Sequence, residues 1–208
     1  MTNEPFPPSD SPAPFVRHAR ALAQSGRRVL VAIDGRCASG KTTLAGELSE
    51  RYGWSVVHMD DFFLQPAQRT AERCAEPGGN LDRERFLSEV LAPLRDGKPV
   101  RFRPFDCHTM RLKEPVSLAL SPVVLIEGAY SCHPLLWEFY DLRVFLTVDP
   151  AEQAERILRR NGPEGAAAFS RRWIPLEERY FAAFSIEKRC DYVLRLIYRR
   201  ETSQDGIV

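Results

Sequence analysis

The sequence predicts an α/β fold: a doubly wound, mostly parallel sheet of five strands with helices on both faces. Three observations carry that expectation. Five short, β-branched, almost wholly apolar runs recur along the chain, each suited to a strand buried on both faces. Amphipathic helical patterns separate them. A glycine-rich turn follows the first run and opens a helix.

The elements follow in order. Residues 1–14, rich in Pro, Ser and Asp, predict a mobile tail, which leaves 15–208 as one domain. Phe15, Val16, Ala19 and Leu22 share one side of a short helix over 15–24. Val29-Leu30-Val31-Ala32-Ile33-Asp34 is the first strand, and residues 54–59, 123–127 and 144–148 have the same character. A weaker fifth run covers 192–197. Leu44, Ala45 and Leu48 stripe a helix over 42–52 that Gly53 stops. Phe86, Leu87, Val90, Leu91 and Leu94 stripe another, closed by Gly97, in which Pro93 predicts a kink. Asp149-Pro150-Ala151-Glu152 is a capping box with proline at the first helical position, opening a helix over 151–160. Residues 99–120 break the rhythm. There Val100/Phe102 and Val116/Leu118/Leu120 alternate around a polar turn, as in a small antiparallel arm beside the sheet.

Composition narrows the function classes. A net charge of +1 supplies no field that would recruit nucleic acid or a membrane. No run approaches the ~18 apolar residues of a membrane span, and the N-terminus lacks the pattern of a secretory signal. Five scattered cysteines, with no C-x-x-C pair, argue against a disulfide framework or a zinc site. They imply a reducing compartment, by default the cytoplasm. Whether the chain forms a homo-oligomer is left open.

The glycine-rich turn is Gly35-Arg36-Cys37-Ala38-Ser39-Gly40-Lys41-Thr42, which fits G-x-x-x-x-G-K-[ST] at every fixed position. A chance match arises in roughly one chain of this length in a hundred. Here the motif also has the strand before it and the helix after it that its mechanism requires, so the fold is expected to be a P-loop NTPase. In this loop backbone N–H groups turn inward around phosphates at the positive end of a helix. Lys41 would reach the β- and γ-phosphates of ATP, and the Thr42 hydroxyl would ligate Mg²⁺. Cys37 stands at a variable position of the loop and reads as filler, although its place near that helix N-terminus could lower its thiol pKa.

Phosphoryl transfer also needs a base and a metal partner. The second strand ends in Asp60-Asp61, on the sheet edge where such folds bind ligands, so either carboxylate suits the base. Val123-Val124-Leu125-Ile126-Glu127 has the form of a Walker B strand, with Glu127 touching Mg²⁺ through water. Arg156, Arg159, Arg160, Arg171 and Arg172 bracket Asn161-Gly162-Pro163-Glu164-Gly165. That pattern predicts a hinged helical lid over about 156–173, its arginines closing on the phosphates.

These residues resemble the uridine kinase-like group of P-loop kinases, which includes phosphoribulokinase and pantothenate kinase, over residues 29–196. The loop extended through Thr43 looks like that family's opening. His58-Met59-Asp60-Asp61-Phe62-Phe63 is similar to its acid-plus-aromatic segment, which implies Asp60 as the base. Asn80-Leu81-Asp82 is similar to its Asn-x-Asp element, implying that Asp82 contacts the acceptor sugar. Residues alone also make Asp82 a good helix N-cap. The arm reads Phe102-Arg103-Pro104-Phe105-Asp106-Cys107-His108-Thr109, and by resemblance Phe105 and His108 would meet the base of a nucleoside. The family's Arg-Gly-Arg lid tail is replaced by Arg171-Arg172-Trp173. The resemblance implies an ATP- and Mg²⁺-dependent kinase with a small-molecule acceptor such as uridine or cytidine.

Overall fold

A computed structural model describes residues 9–196. Five parallel strands form the sheet: β1 (Val29–Gly35), β2 (Ser55–His58), β7 (Val123–Glu127), β8 (Leu142–Leu146) and β9 (Tyr192–Leu194), in the order β2-β7-β1-β8-β9. Every residue of β1 and β7 is buried, as their unbroken apolar runs require.

Alternation along β1 divides the core in two. Leu30 and Ala32 face one layer, with Phe86, Val90, Leu91 and Leu94 of the helix over 83–95 and Tyr180 and Phe181 of the helix Ile174–Phe184. Val29, Val31 and Ile33 face the other, with Phe15, Val16 and Ala19 of α1 (Ala13–Ala23) and Leu44, Ala45 and Leu48 of α2 (Lys41–Tyr52). Helices thus cover both faces, as in a doubly wound sheet.

The sequence places a tail over 1–14, but the described part of it is attached. The Ser9 N–H donates to the Val193 carbonyl at 2.9 Å, and Arg195 N–H donates back to Ser9 at 3.0 Å. Residues 1–8 lie outside the described residues, as do 197–208, including the last position of the expected fifth strand. The fourth strand runs Leu142–Leu146 rather than over 144–148. The expected kink at Pro93 is absorbed differently. The proline has no N–H to give, and the helix takes it up in a π turn at Leu87–Leu91. A second π turn, Phe169–Trp173, stands in the same relation to Pro175.

The arm over 99–120 is an antiparallel hairpin. β3 (Arg101–Phe102) pairs with β6 (Val116–Ser117), and a nested pair, β4 (Phe105–Asp106) with β5 (Arg111–Leu112), continues it. The helix expected to serve as a lid runs Pro150–Ala168 with one break, at Gly162, whose φ of 69° and ψ of 178° leave the helix. Its Asp149 side chain caps Ala151 N–H at 2.9 Å. Glycine next to Pro163 thus confines the break to a single residue.

Behind the sheet, His133 is buried, accepts from Leu135 N–H through Nδ1 at 3.2 Å and stacks on Tyr180. Burial, with Arg83 and Arg73 nearby, lowers its pKa from 6.5 to about 4. Between those values the unfolded chain binds a proton that the folded chain refuses. This part of the stability is therefore complete above about 6.5 and lost as pH falls toward 4. Denaturant midpoints measured across that window should decline, and His133→Asn should flatten the decline. An identical pH profile in the variant would remove His133 as the cause.

Candidate active site

The loop that follows β1 is shaped by the sheet as much as by any ligand. At Gly35, with φ of 132°, a Cβ would lie 2.0 Å from the Leu146 carbonyl of β8, so only glycine lets the two strands stay paired. Inside the loop the Lys41 ammonium donates to the carbonyls of Gly35 at 2.7 Å and Arg36 at 2.9 Å. The cation is thereby held within the loop that the motif assigns to phosphate.

Beneath the loop lies Asp34, fully buried. It accepts from Gly35 N–H at 2.7 Å, Tyr130 N–H at 3.2 Å, Cys132 N–H at 2.9 Å and the Tyr180 hydroxyl at 2.9 Å. Burial raises its pKa; these donors and Lys41 pull it back. One carboxylate thus joins the loop, the segment after β7 and the helix Ile174–Phe184.

That helix and the lid also brace the loop's outer side. Glu177 accepts from Cys37 N–H at 2.9 Å, Gln153 donates to the Cys37 carbonyl at 3.0 Å, and Arg156 donates to the Ala38 carbonyl at 3.0 Å. Arg36 pairs with Glu178 at 3.0 Å and Glu187 at 3.2 Å. The surroundings suit Cys37 as filler rather than as a reactive thiol: burial and Glu177 push it up to about 12 in spite of the nearby helix N-terminus.

The register of β2 on β7 sets His58 directly opposite Glu127. His58 Nδ1 lies 2.5 Å from Glu127 Oε1, and the Thr42 hydroxyl is 3.2 Å from both carboxylate oxygens. The contact with Glu127 raises the His58 pKa. Glu127 is buried and fixed from two sides. A hydroxyl and a carboxylate at this separation form the hard-oxygen donor set that suits Mg²⁺. Among the described residues no cluster of three or more His, Cys, Asp or Glu could hold a metal, so phosphate and water oxygens would complete the shell. The donors fit the ion.

The 3₁₀ turn Met59–Phe62 continues β2 and carries both candidate bases. Asp60 lines a cleft of about 740 Å³ together with Lys41, Thr42 and Glu127, whereas Asp61 is not among its lining residues. Asp60 is open to solvent but crowded by protein, and its pKa is raised. Burial is the first cause and Glu127 the second; Lys41, His58 and Arg160 oppose them.

Ala38, Gly40 and Thr43 also line the cleft, as do Arg156, Arg159, Arg160 and Arg172 of the lid; Gly35, Ser39 and Arg171 do not. Arg159 sits 3.8 Å from Glu155 and is largely exposed. The Ser39 hydroxyl is buried without a hydrogen-bond partner among the described residues. The three residues that the resemblance assigns to the acceptor stand elsewhere. Asp82 is buried, caps the helix over 83–95 through Arg85 N–H at 3.2 Å and pairs with the Arg85 guanidinium at 3.3 Å. Phe105 is buried under Arg69, and His108 is exposed at the hairpin tip. From the arm it is Cys107 and Met110 that reach the cleft.

Sequence reasoning missed Asp34, His58, Arg69, Tyr180 and Glu177 as parts of this site. For the last two a signal existed: Leu176, Tyr180, Phe181 and Phe184 recur at helical spacing.

Sheet order, loop and acid-bearing strands together define the P-loop NTPase fold. No family model matches the chain, and no curated protein matches it in sequence. Among solved structures it is similar to a possible uridine kinase from Bacillus stearothermophilus, with a TM-score of 0.61 and 24% identity over 87% of this chain and 99% of that one. It is also similar to a candidate fructose transport system kinase from Silicibacter sp. TM1040, with a TM-score of 0.60 and 24% identity over 84% of this chain and 98% of that one. The likeness is one of fold.

Proposed function

We propose that this chain is a kinase that transfers the γ-phosphoryl group of ATP to a hydroxyl of a small metabolite, with Mg²⁺ as cofactor. The observation that carries the reading is Asp60 in one cleft with Lys41, Thr42 and Glu127. The same cleft continues past Phe63, Leu64, Cys107 and Met110, far more room than an attacking water needs.

In this mechanism the loop amides and Lys41 hold the phosphates, while Thr42 and Glu127 would hold the metal. Mg²⁺ would supply charge neutralisation at the phosphate oxygens. Asp60 accepts the acceptor's hydroxyl proton as the hydroxyl oxygen bonds to the γ-phosphorus and the bond to the ADP oxygen breaks. Lid arginines, Arg159 among them, neutralise the transferring group, and closure about Gly162 excludes water. The resemblance implies a nucleoside acceptor, uridine or cytidine, met by Asp82, Phe105 and His108; none of the three lines the cleft, so that choice of acceptor rests on the resemblance alone. Such a kinase would work in the cytoplasm, which suits its scattered free cysteines.

The test is ATP turnover with and without uridine, cytidine, their deoxy forms, pantothenate and simple sugars. The expected result is slow hydrolysis alone, stimulated by an acceptor, with phosphorylated acceptor matching ADP. Turnover indifferent to every alcohol would instead mark a hydrolysing switch.

A further inference from the structure

We infer that the acceptor carries an anionic group, a carboxylate or phosphate, received by Arg69; the inference rests on the kinase reading above and names its substrate class. Six cationic side chains line the cleft, Lys41, Arg69, Arg156, Arg159, Arg160 and Arg172, against three carboxylates, Asp60, Glu127 and Glu177. Lys41 and the four lid arginines belong to the elements that would surround ATP. Arg69 does not. It comes from the segment after β2, beside the cleft residues Phe63 and Leu64 and against the arm.

Arg69 is built to present its outer edge. Its Nε donates to the Leu64 carbonyl at 2.9 Å, and its guanidinium lies over the Phe105 ring, 5.9 Å from the centroid. The carbonyl and the ring hold the inner side of the guanidinium, which leaves both terminal nitrogens, the fork that binds carboxylate or phosphate in bidentate fashion. Among the described residues Arg69 makes no ion pair. Arg69, Cys107 and Asp60 line the same cleft; burial, and then Asp60, push the Cys107 thiol up while Arg69 opposes them. Arg69 is exposed at the cleft wall, so an entering acceptor meets its terminal nitrogens directly. An acceptor with its own negative charge completes the pair. Its hydroxyl would still give its proton to Asp60 as the new bond to phosphorus forms and ADP departs.

Matched acceptors test this directly: pantothenate against pantothenol, and ribose 5-phosphate against ribose, each assayed for phosphate transfer from ATP. The first pair reads a carboxylate and the second a phosphate. The anionic member of at least one pair should lead by about 10- to 100-fold in kcat/KM, the scale of a charged hydrogen-bonded contact. Arg69→Gln should erase that lead through acceptor KM, and Arg69→Lys, which keeps the charge without the fork, should restore part of it. Transfer that favours the neutral members, or a lead that survives Arg69→Gln, overturns the inference and leaves the kinase standing. No transfer to any of the four, with uridine or cytidine phosphorylated instead, likewise overturns the inference and leaves the kinase standing; ATP turnover unmoved by these four and by the nucleosides removes both.

Discussion

Replacing Lys41 with alanine should lower turnover at least ~100-fold, the scale on which a single electrostatic partner of a transition state is lost. The ammonium is fixed inside the loop by the Gly35 and Arg36 carbonyls 2.7 and 2.9 Å away, whereas the Arg36 guanidinium is turned to Glu178 and Glu187. No other side chain occupies that place. Its loss also leaves Asp60 and Glu177 without a charge that lowers both pKa values. Lys41→Arg should not rescue it, because a planar fork cannot sit where a compact ammonium does. Steady-state phosphate transfer decides the matter, with a thermal midpoint within a few degrees of the parent as evidence of folding. Near-normal transfer by folded Lys41→Ala would remove the loop from the chemistry, and with it the proposed function.

What was legible in the sequence was what the sheet writes locally. β1, the loop, α2 and β7 are legible because a strand buried on both faces must be an unbroken apolar run, and a tight phosphate turn must spend glycines at fixed spacing. The arm's two sides were legible for a similar reason: alternation marks Val100/Phe102 and Val116/Leu118/Leu120, and the structure sets their register by pairing Phe102 with Val116. The fourth strand was read two residues late because Arg143 interrupts its apolar run. That arginine is tolerated because polar partners receive it, the nearby Tyr140 carbonyl at 2.8 Å and Trp137 carbonyl at 3.0 Å and the distant Asp191 at 3.4 Å.

The site was legible along single segments and opaque between them. Lys41, Thr42, Asp60 and Glu127 each sit at the end of a readable element, and the fold brings all four to one cleft. Asp34 and Tyr180 are 146 positions apart, and no local pattern announces that a strand-end aspartate is the buried knot under the loop. Asp82 shows the opposite hazard. Its position suits both a sugar contact and an N-cap, and in this structure its oxygens are taken by Arg85. Arg69 could be valued only in three dimensions, since nothing in the sequence says that Leu64 and Phe105 will hold it flat.

Asp60→Asn should reduce turnover by about 10²- to 10⁴-fold, the range of a general base, while the KM for ATP stays within a few-fold of the parent. The substitution keeps size and removes basicity. The residue is placed for the role, in the 3₁₀ turn at the end of β2, lining the cleft with Lys41 and Glu127. Its pKa is raised, first by burial and then by Glu127, and a raised pKa makes a carboxylate a stronger base. The sign of the pH dependence follows. The base works only when deprotonated, so kcat should fall as pH drops through the Asp60 pKa. That limb should lie on the less acidic side of 3.8, the ordinary aspartate value. Glu127→Gln removes a neighbouring negative charge, so in the residual activity of that variant the limb should move to lower pH. Asp61→Asn is the control, since Asp61 does not line the cleft and its backbone carbonyl is engaged by Arg85 at 2.7 Å. If Asp61→Asn is the damaging change and Asp60→Asn turns over normally, the base is the neighbour, and the 3₁₀ turn must present its other carboxylate to the acceptor during the reaction.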